Sequence, residues 1–554
     1  MAVGVGRAMC MSLLCGAGAA SLPGHASAQA PNAGAAIRDV ETSRPNLPPE
    51  AAPDLEIVPS GAAAQPLPET GPRVLVRTFE IGGNTVFDNA TLQACVADLA
   101  GETLGFADLQ RAAERITTYY RERGYVLARA YLPKQEIDGG VVRIEVVEGR
   151  YGRIEIQNHS RVFDAVLRQP LAALRAGDVV HGSSLERSLL LVDDLAGVGA
   201  RGTLRPGEMP GTTDLVVDTE RGAPASGSLE FDNFGDVATG RYRLGGSVDV
   251  NAPLRLGDRL SLRGVVSNER QRYYRAGYQV PVGPASTRVG VAYSSLHYRL
   301  AGRFSDLEAS GRASVQTVYV AQPIVRARNL GLTAQVQYEN KNLHDEYRVF
   351  SQRNDKNVGL WTFGLSGNSQ DGWMGGGRNG FSVMFGIGRL RSNDALKAND
   401  LTKAIGSFTK LNLNVQRIQA VGGRFQVYAQ ASAQLASRNL DSSEKFSLGG
   451  PYGVRAYALG AGSGDQGWQA SAELRYLAAP GWQVSTFVDA GYVQLNRRPW
   501  THERNKQHLQ SAGLSANWYG TNRQVTLTAA LPLGGGGDSP TRAPGVWVQA
   551  ARYF

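Results

Sequence analysis

The chain has 554 residues and only 3 Cys. Two of them, Cys10 and Cys15, fall in the first 28 residues, which read as a cleaved leader. The mature chain then keeps Cys95 alone, so no intramolecular disulfide can form and stability must come from packing or from a membrane. Cys95 sits inside a helical pattern between Leu92 and Leu99, which is no place for a nucleophile. Long apolar runs are also missing. No stretch after the leader reaches the roughly 18 uninterrupted apolar residues of a spanning helix, which excludes a helical membrane protein. Charged residues make up 19% and mean hydropathy is -0.24, as in a water-soluble protein. A β-barrel that alternates apolar and polar residues averages to the same value and stays open.

Signatures of catalysis are absent too. No Gly-rich phosphate loop of the P-loop type occurs. The 7 His are scattered, and His502-Glu503 followed by His508 has the wrong spacing for a zinc helix. Ser442-Ser443-Glu444-Lys445 contains a Ser-x-x-Lys match, but it lies in what reads as a polar loop, where such a match arises by chance. The expectation is a protein that is no enzyme, with no cofactor and no metal site.

Several features are present. Residues 1–28 read as an export signal, with Arg7, an apolar stretch over 8–20 and the small-x-small site Ala26-Ser27-Ala28. Residues 29–72 read as a linker rich in Pro and Ala, in which only 35–43 could carry a short helix. Residues 73–150 then show the order β-α-α-β-β. The strand pattern over 74–81 ends at Gly82-Gly83, and Leu109, Ala112, Ala113, Ile116 and Tyr120 share one helical face that stops at Gly124. Strand patterns follow at 125–132 and 141–147. The same order recurs over 151–222, so these are two small α+β domains in tandem. Each offers a sheet edge to which an extended peptide can add.

After Gly222 alternation takes over. Tyr242, Leu244, Val248 and Val250 interleave with Arg241, Arg243, Ser247 and Asp249, and similar runs recur to the end of the chain. Runs of about ten residues, ending in Tyr or Trp and separated by Gly/Asn/Asp loops, fit lipid-spanning strands. The region 223–554, at about ten residues per strand and a similar share of loop, predicts a membrane β-barrel of roughly 16 antiparallel strands. The net charge of +9 and the 67 Gly then belong largely to a wet lumen, its rim and its turns, and nucleic acid is not an expected partner. Parity makes one site prediction. If Val484, Val488 and Tyr492 face lipid, then Phe487, Asp489 and Gly491 face the lumen.

The local motifs are more specific than the patterning. Residues 124–133 together with 144–149 (Ile-Glu-Val-Val-Glu-Gly), the run Asp232-Asn233-Phe234-Gly235 with Thr239-Gly240, the run Gly449 to Tyr457, and Phe487-Val488-Asp489-Ala490-Gly491 resemble the outer-membrane transporters of two-partner secretion (the TpsB type). These are related more distantly to the barrel-assembly proteins. The resemblance implies two POTRA domains ahead of the barrel, and a long loop folded inward whose tip is Val454, Arg455, Ala456 and Tyr457. It implies that this tip meets Phe487, Asp489 and Gly491, with Arg455 pairing with Asp489. Ala456 stands where the family has Gly. The resemblance further implies a monomer in the outer membrane of a Gram-negative bacterium, among lipid and lipopolysaccharide. Its partner would be a large secreted β-helical exoprotein (adhesin, hemolysin or toxin), docked on the POTRA domains near Arg129, Tyr131 and Arg143 and exported unfolded. A helical plug finds no strong amphipathic sequence in the linker. A passive porin would explain the barrel without the two repeats, and an assembly factor would be expected to carry more of them.

Overall fold

The computed structural model describes residues 31–41, 73–398, 400–533 and 545–554; the expected signal lies outside them. In the first small domain, Val141–Val147 is the central strand, with Thr78–Gly82 parallel on one side and Arg129–Tyr131 antiparallel on the other. Strand alternation turns Val142, Ile144 and Val146 inward, where they meet the Leu109–Ala112–Ile116–Tyr120 face of the helix Phe106–Glu122. The strand expected over 125–132 is shorter than predicted. Tyr125 N–H returns to Tyr120 O and Ala128 N–H to Tyr125 O, so these residues form a turn that ends the helix. The second domain repeats the plan with strands Arg150–Asn158, Thr212–Arg221 and Val198–Pro206 and helices Asp164–Leu171 and Gly182–Asp193.

Glu148 joins the two domains. Its buried carboxylate accepts from the backbone N–H groups of Thr85 and Val86, the Thr85 hydroxyl and the Tyr120 hydroxyl in the first domain. It also accepts from Arg150, the first residue of the second sheet, at 3.2 Å.

The barrel is closed. Sixteen antiparallel strands run from Ala225–Asp232 to Val546–Tyr553, and the last pairs with the first over Gln549↔Asp232 to Tyr553↔Ser228. At this short seam the DNFG turn helps. Asn233 donates to Val546 O and accepts from Val548 N–H, extending the ladder with a side chain. The strands Ala309–Arg326, Leu330–Tyr347 and Gln352–Asp371 are far longer than ten residues and gave no clear alternating run. They carry apolar residues on both faces, with Val320, Val336 and Trp361 outward and Ala313, Leu343, Val358 and Leu360 buried inward, so the apolar–polar alternation is lost. At the periplasmic end, Arg326 forms a two-pronged pair with Asp194 (both contacts 2.8 Å), and Arg187 donates to Pro323 O and Ile324 O, fixing the second domain against the barrel rim.

The stretch read as linker carries a helix, Ala33–Glu41, lodged inside the barrel. Ala33, Ala36, Ile37 and Val40 pack with Tyr273, Leu296, Tyr298, Ala313, Val315 and Leu343 of the barrel wall. Its polar side is bonded as well. Ala33 N–H donates to Asp345 (2.8 Å), and Arg38 donates to Ser442 O, Lys445 O and Ser463 Oγ. The linker reading understated this helix: Ala33, Ala36, Ile37 and Val40 recur at helical spacing on one face, with Ala35, Asp39 and Glu41 half-buried on the other, so the segment is amphipathic but only nine residues long.

Burial pushes the Glu148 carboxyl up, but its hydrogen bonds outweigh this and hold it below the usual carboxylate range. A depressed native value contributes stability that is full above the unfolded carboxyl's pKa and fades as pH falls through the native one. Glu148→Ala is expected to destabilise the first domain by about 3 kcal/mol at neutral pH. Limited proteolysis of the full-length protein should then cut preferentially between residues 73 and 150. The deficit relative to wild type should shrink in acid, and equal protection at neutral pH would contradict this role.

Candidate functional site: the loop tip in the barrel lumen

Between the strands Phe425–Ala436 and Gln466–Ala479 the chain makes a long loop, 437–465, which folds into the lumen instead of outward. A small hairpin, Phe446–Ser447 with Ser463–Gly464, stiffens its neck. Leu448, Val454, Ala456 and Tyr457 form a buried apolar cluster with Phe487, Val493, Leu509 and Ala530 of the wall. Close approach explains the glycines here. A Cβ at Gly453 would collide with Leu448 O, and one at Gly491 would lie 2.7 Å from the Leu448 side chain. Ala456 needs no glycine freedom, since it is not among the residues with positive φ, and its methyl group fills the cluster.

Arg455 is 8% exposed and Asp489 1%. The guanidinium binds Asp489 through Nε (3.0 Å) and Nη2 (2.7 Å), and the Arg455 backbone N–H adds a third contact at 3.1 Å. Two parallel N–H···O bonds make this a fork that a lysine cannot reproduce. Nη1 reaches Glu473 at 2.7 Å and Nη2 reaches Ser471 at 2.9 Å. The guanidinium also stacks on Phe487, with Cζ 3.3 Å from the ring centre. Ser471 and Ser511, the cross-strand neighbours of Asp489, donate to its two oxygens (each 2.8 Å), while Trp547 Nε1 donates to Arg455 O (2.7 Å). Arg475 completes the charge balance by pairing with Glu473 at 2.9 Å.

The residues expected at the tip and on the strand are therefore brought together: Val454, Arg455, Ala456 and Tyr457 against Phe487, Asp489 and Gly491. Glu473, Ser471, Ser511 and Trp547 were not anticipated. Parity on the strand Gln466–Ala479 could have found Glu473, because Trp468 and Leu474 mark its lipid face.

The Ser442–Lys445 segment is no free polar loop, because it is buried at the neck of the loop. Glu444 pairs with Lys341 (2.9 Å) and Lys410 (2.7 Å), Asp441 with Lys356 (2.7 Å), and Lys445 with Asp465 (3.2 Å). The wall lysines come from three different strands, so this neck is tied to the barrel independently of the tip.

In the first small domain, Arg129, Tyr131 and Arg143 share the sheet face opposite the helices, with Val141 and Val147 exposed beside them. Arg143 pairs with Glu80 at 3.3 Å. The edge beside Arg129 and Tyr131 is partly occupied, since Ala130 N–H donates to Thr117 Oγ (3.0 Å).

A closed barrel joined to small α+β domains in series, with its bore filled by its own chain, defines an outer-membrane transporter for polypeptides. Residues 211–520 match the Haemolysin secretion/activation protein ShlB/FhaC/HecB family and residues 74–149 match the POTRA domain of ShlB type, and the chain belongs to that family. It is 28% identical over 547 residues to the heme/hemopexin transporter protein HuxB of Haemophilus influenzae (strain 86-028NP), covering 95% of each chain. To HuxB of strain KW20 / Rd it is 30% identical over 450 residues, covering 78% of this chain and 79% of the other. The solved structure of CdiB from Escherichia coli shares the fold, with a TM-score of 0.71 at 21% identity over 93% of this chain and 95% of that one. The protein is an outer-membrane transporter of two-partner secretion, with its POTRA region in the periplasm.

Arg455→Ala leaves Asp489 buried without its cation, while Glu473 keeps Arg475, and this costs about 3–5 kcal/mol against the inward loop. The barrel's own ladders are untouched. In a Tyr452→Cys background, added Arg455→Ala should make position 452 reactive to a membrane-impermeant maleimide on intact cells. Heat-modifiable mobility of the barrel should not change. Arg455→Lys should give an intermediate rate, and labelling no faster than in the Tyr452→Cys parent would exclude the clamp.

Proposed function

We propose that the Arg455–Asp489 clamp holds the resting, closed state of this transporter, and that export requires its release together with withdrawal of the lumen helix. The single observation that carries this reading is the fork of Arg455 on Asp489, because it pins the loop in the path a polypeptide must take. The chain is read as a signal at 1–28, a linker at 29–72, POTRA domains at 73–150 and 151–222, and a barrel at 223–554. Cargo docks first on the exposed face formed by Arg129, Tyr131 and Arg143, where the aromatic ring and exposed valines offer apolar contact and the arginines steer acidic segments. It is a large exoprotein, exported unfolded and folding outside into a β-helix, so that folding biases movement outward. The transporter works as a monomer among outer-membrane lipid and lipopolysaccharide, and it performs no chemistry of its own. The inward loop and the tandem domains favour this reading over a passive porin, which needs neither.

Two variants separate gating from docking. Arg455→Ala should reach the outer membrane at wild-type levels yet lose most secretion of the partner exoprotein, read by immunoblot of the medium. The combined change Arg129→Glu, Tyr131→Ala and Arg143→Glu should leave pore conductance in planar bilayers unchanged and lower capture of the exoprotein's N-terminal domain by about tenfold or more. Normal secretion by Arg455→Ala would remove the gating role, and normal capture by the triple variant would remove the docking face.

A further inference from the structure

The strands Arg259–Ser267, Arg272–Val282 and Thr287–Arg299 lie side by side, and burial alternates along them between a lipid face and a lumen face. The charged side chains that they turn into the bore are all arginines: Arg259, Arg263, Arg275 and Arg288. Arg263 and Arg275 are direct cross-strand partners, a like-charge pairing that costs stability unless an anion lies near. The chain itself supplies one. Glu41, the last residue of the lumen helix, places Oε1 on Ser294 Oγ (2.7 Å), on Tyr273 OH (3.3 Å) and on Arg275 Nη1 (3.3 Å). Ser294 is the register partner of Arg275, so one row of the wall presents a cation and a hydroxyl together, with the Tyr273 phenol beside them. Tyr319 donates to Gln279 (2.8 Å) further along the same wall, and Arg288, nearer the periplasmic mouth, pairs with Asp194 of the second small domain at 3.6 Å.

From this we infer that Ser294, Tyr273 and Arg275 form a carboxylate-binding subsite on a basic track, held at rest by Glu41 and taken over by acidic side chains of the passenger chain in transit. The inference rests on the reading that the helix leaves the bore. Once Glu41 is withdrawn, the subsite keeps two hydroxyl donors and a cation but loses its anion. An extended acidic segment entering from the POTRA side is the occupant whose charge complements the track. Each carboxylate would be bound briefly and passed on, since one partly wet Arg contact is weak enough to release it. The track thereby favours acidic or polar passengers over basic ones and discourages the helix from returning while cargo occupies the bore.

The test uses the full chain in planar bilayers at low ionic strength, with Arg455→Ala to release the loop and residues 33–41 replaced by a Gly-Ser stretch of equal length, compared with Arg455→Ala alone. Hexaglutamate added on the POTRA side should block this open pore at concentrations at least about tenfold lower than hexalysine. Arg275→Gln in the same background should raise the hexaglutamate blocking concentration by about tenfold, and Arg275→Glu should reverse the preference. Both variants carry their own control, because an unfolded barrel gives no channel. Raised conductance with equal block by the two peptides, or block indifferent to Arg275, overturns the subsite alone. Conductance unchanged by replacing the helix overturns the plug reading, and the subsite with it.

Discussion

A sheet of sixteen strands closed on itself encloses a bore too wide for wall side chains to fill, so something else must occupy it or water will. Here the chain occupies it, and the buried Arg455 guanidinium is the contact on which that arrangement turns. Taken from water, it is matched by Asp489, whose two oxygens are each bonded by a serine, by Glu473 and by the Phe487 ring. A buried ion pair of this kind gives little net stability over apolar packing of similar volume, but losing one partner is expensive. It therefore fixes where the loop lies more than how stable the barrel is. A seal made this way can be opened by any process that supplies replacement partners, water or cargo among them.

The seal has three attachments, two of which meet at the neck of the loop. The tip is held by Arg455, and the neck by Glu444 and Asp441 against Lys341, Lys410 and Lys356. The helix is stitched to the same neck by Arg38, which donates to Ser442 O and Lys445 O. Moving the helix thus removes bonds from the loop, and moving the loop removes bonds from the helix. Arg326–Asp194 joins the second small domain to the barrel rim at the entrance of this bore.

Much of this was legible in the residues, and the reason is periodicity. Asp489 declared its lumen position through Val484 and Val488 on the opposite face, and the helix Phe106–Glu122 declared its buried stripe through Leu109, Ile116 and Tyr120. Where both faces of an element meet similar surroundings, the period vanishes. The strands Leu330–Tyr347 and Gln352–Asp371 turn apolar residues outward (Val336, Trp361, Phe363) and into the filled bore (Leu343, Val358, Leu360) alike, and the nine residues of Ala33–Glu41 are too short a run to stand out from the linker around them. Ser442–Lys445 misled for a related reason. Its charges look solvated until Lys341 and Lys410 of the wall are seen to pair with Glu444, and Asp465 with Lys445.

Sequence alone determined the class of the protein: the tandem β-α-α-β-β order, the alternating barrel of roughly 16 strands, and the pairing of Arg455 with Asp489 that the motifs implied. Those features are local periods and short motifs, which neighbouring residues carry between them. Only the tertiary structure decided what fills the bore. That Glu473 and Trp547 complete the clamp, that Glu444 is shared by two lysines, and that Glu41 rests on Arg275 are contacts between residues 18 to more than 200 positions apart. No pattern along the chain encodes such meetings, because they exist only once the barrel has closed and brought its opposite walls around the same buried charge.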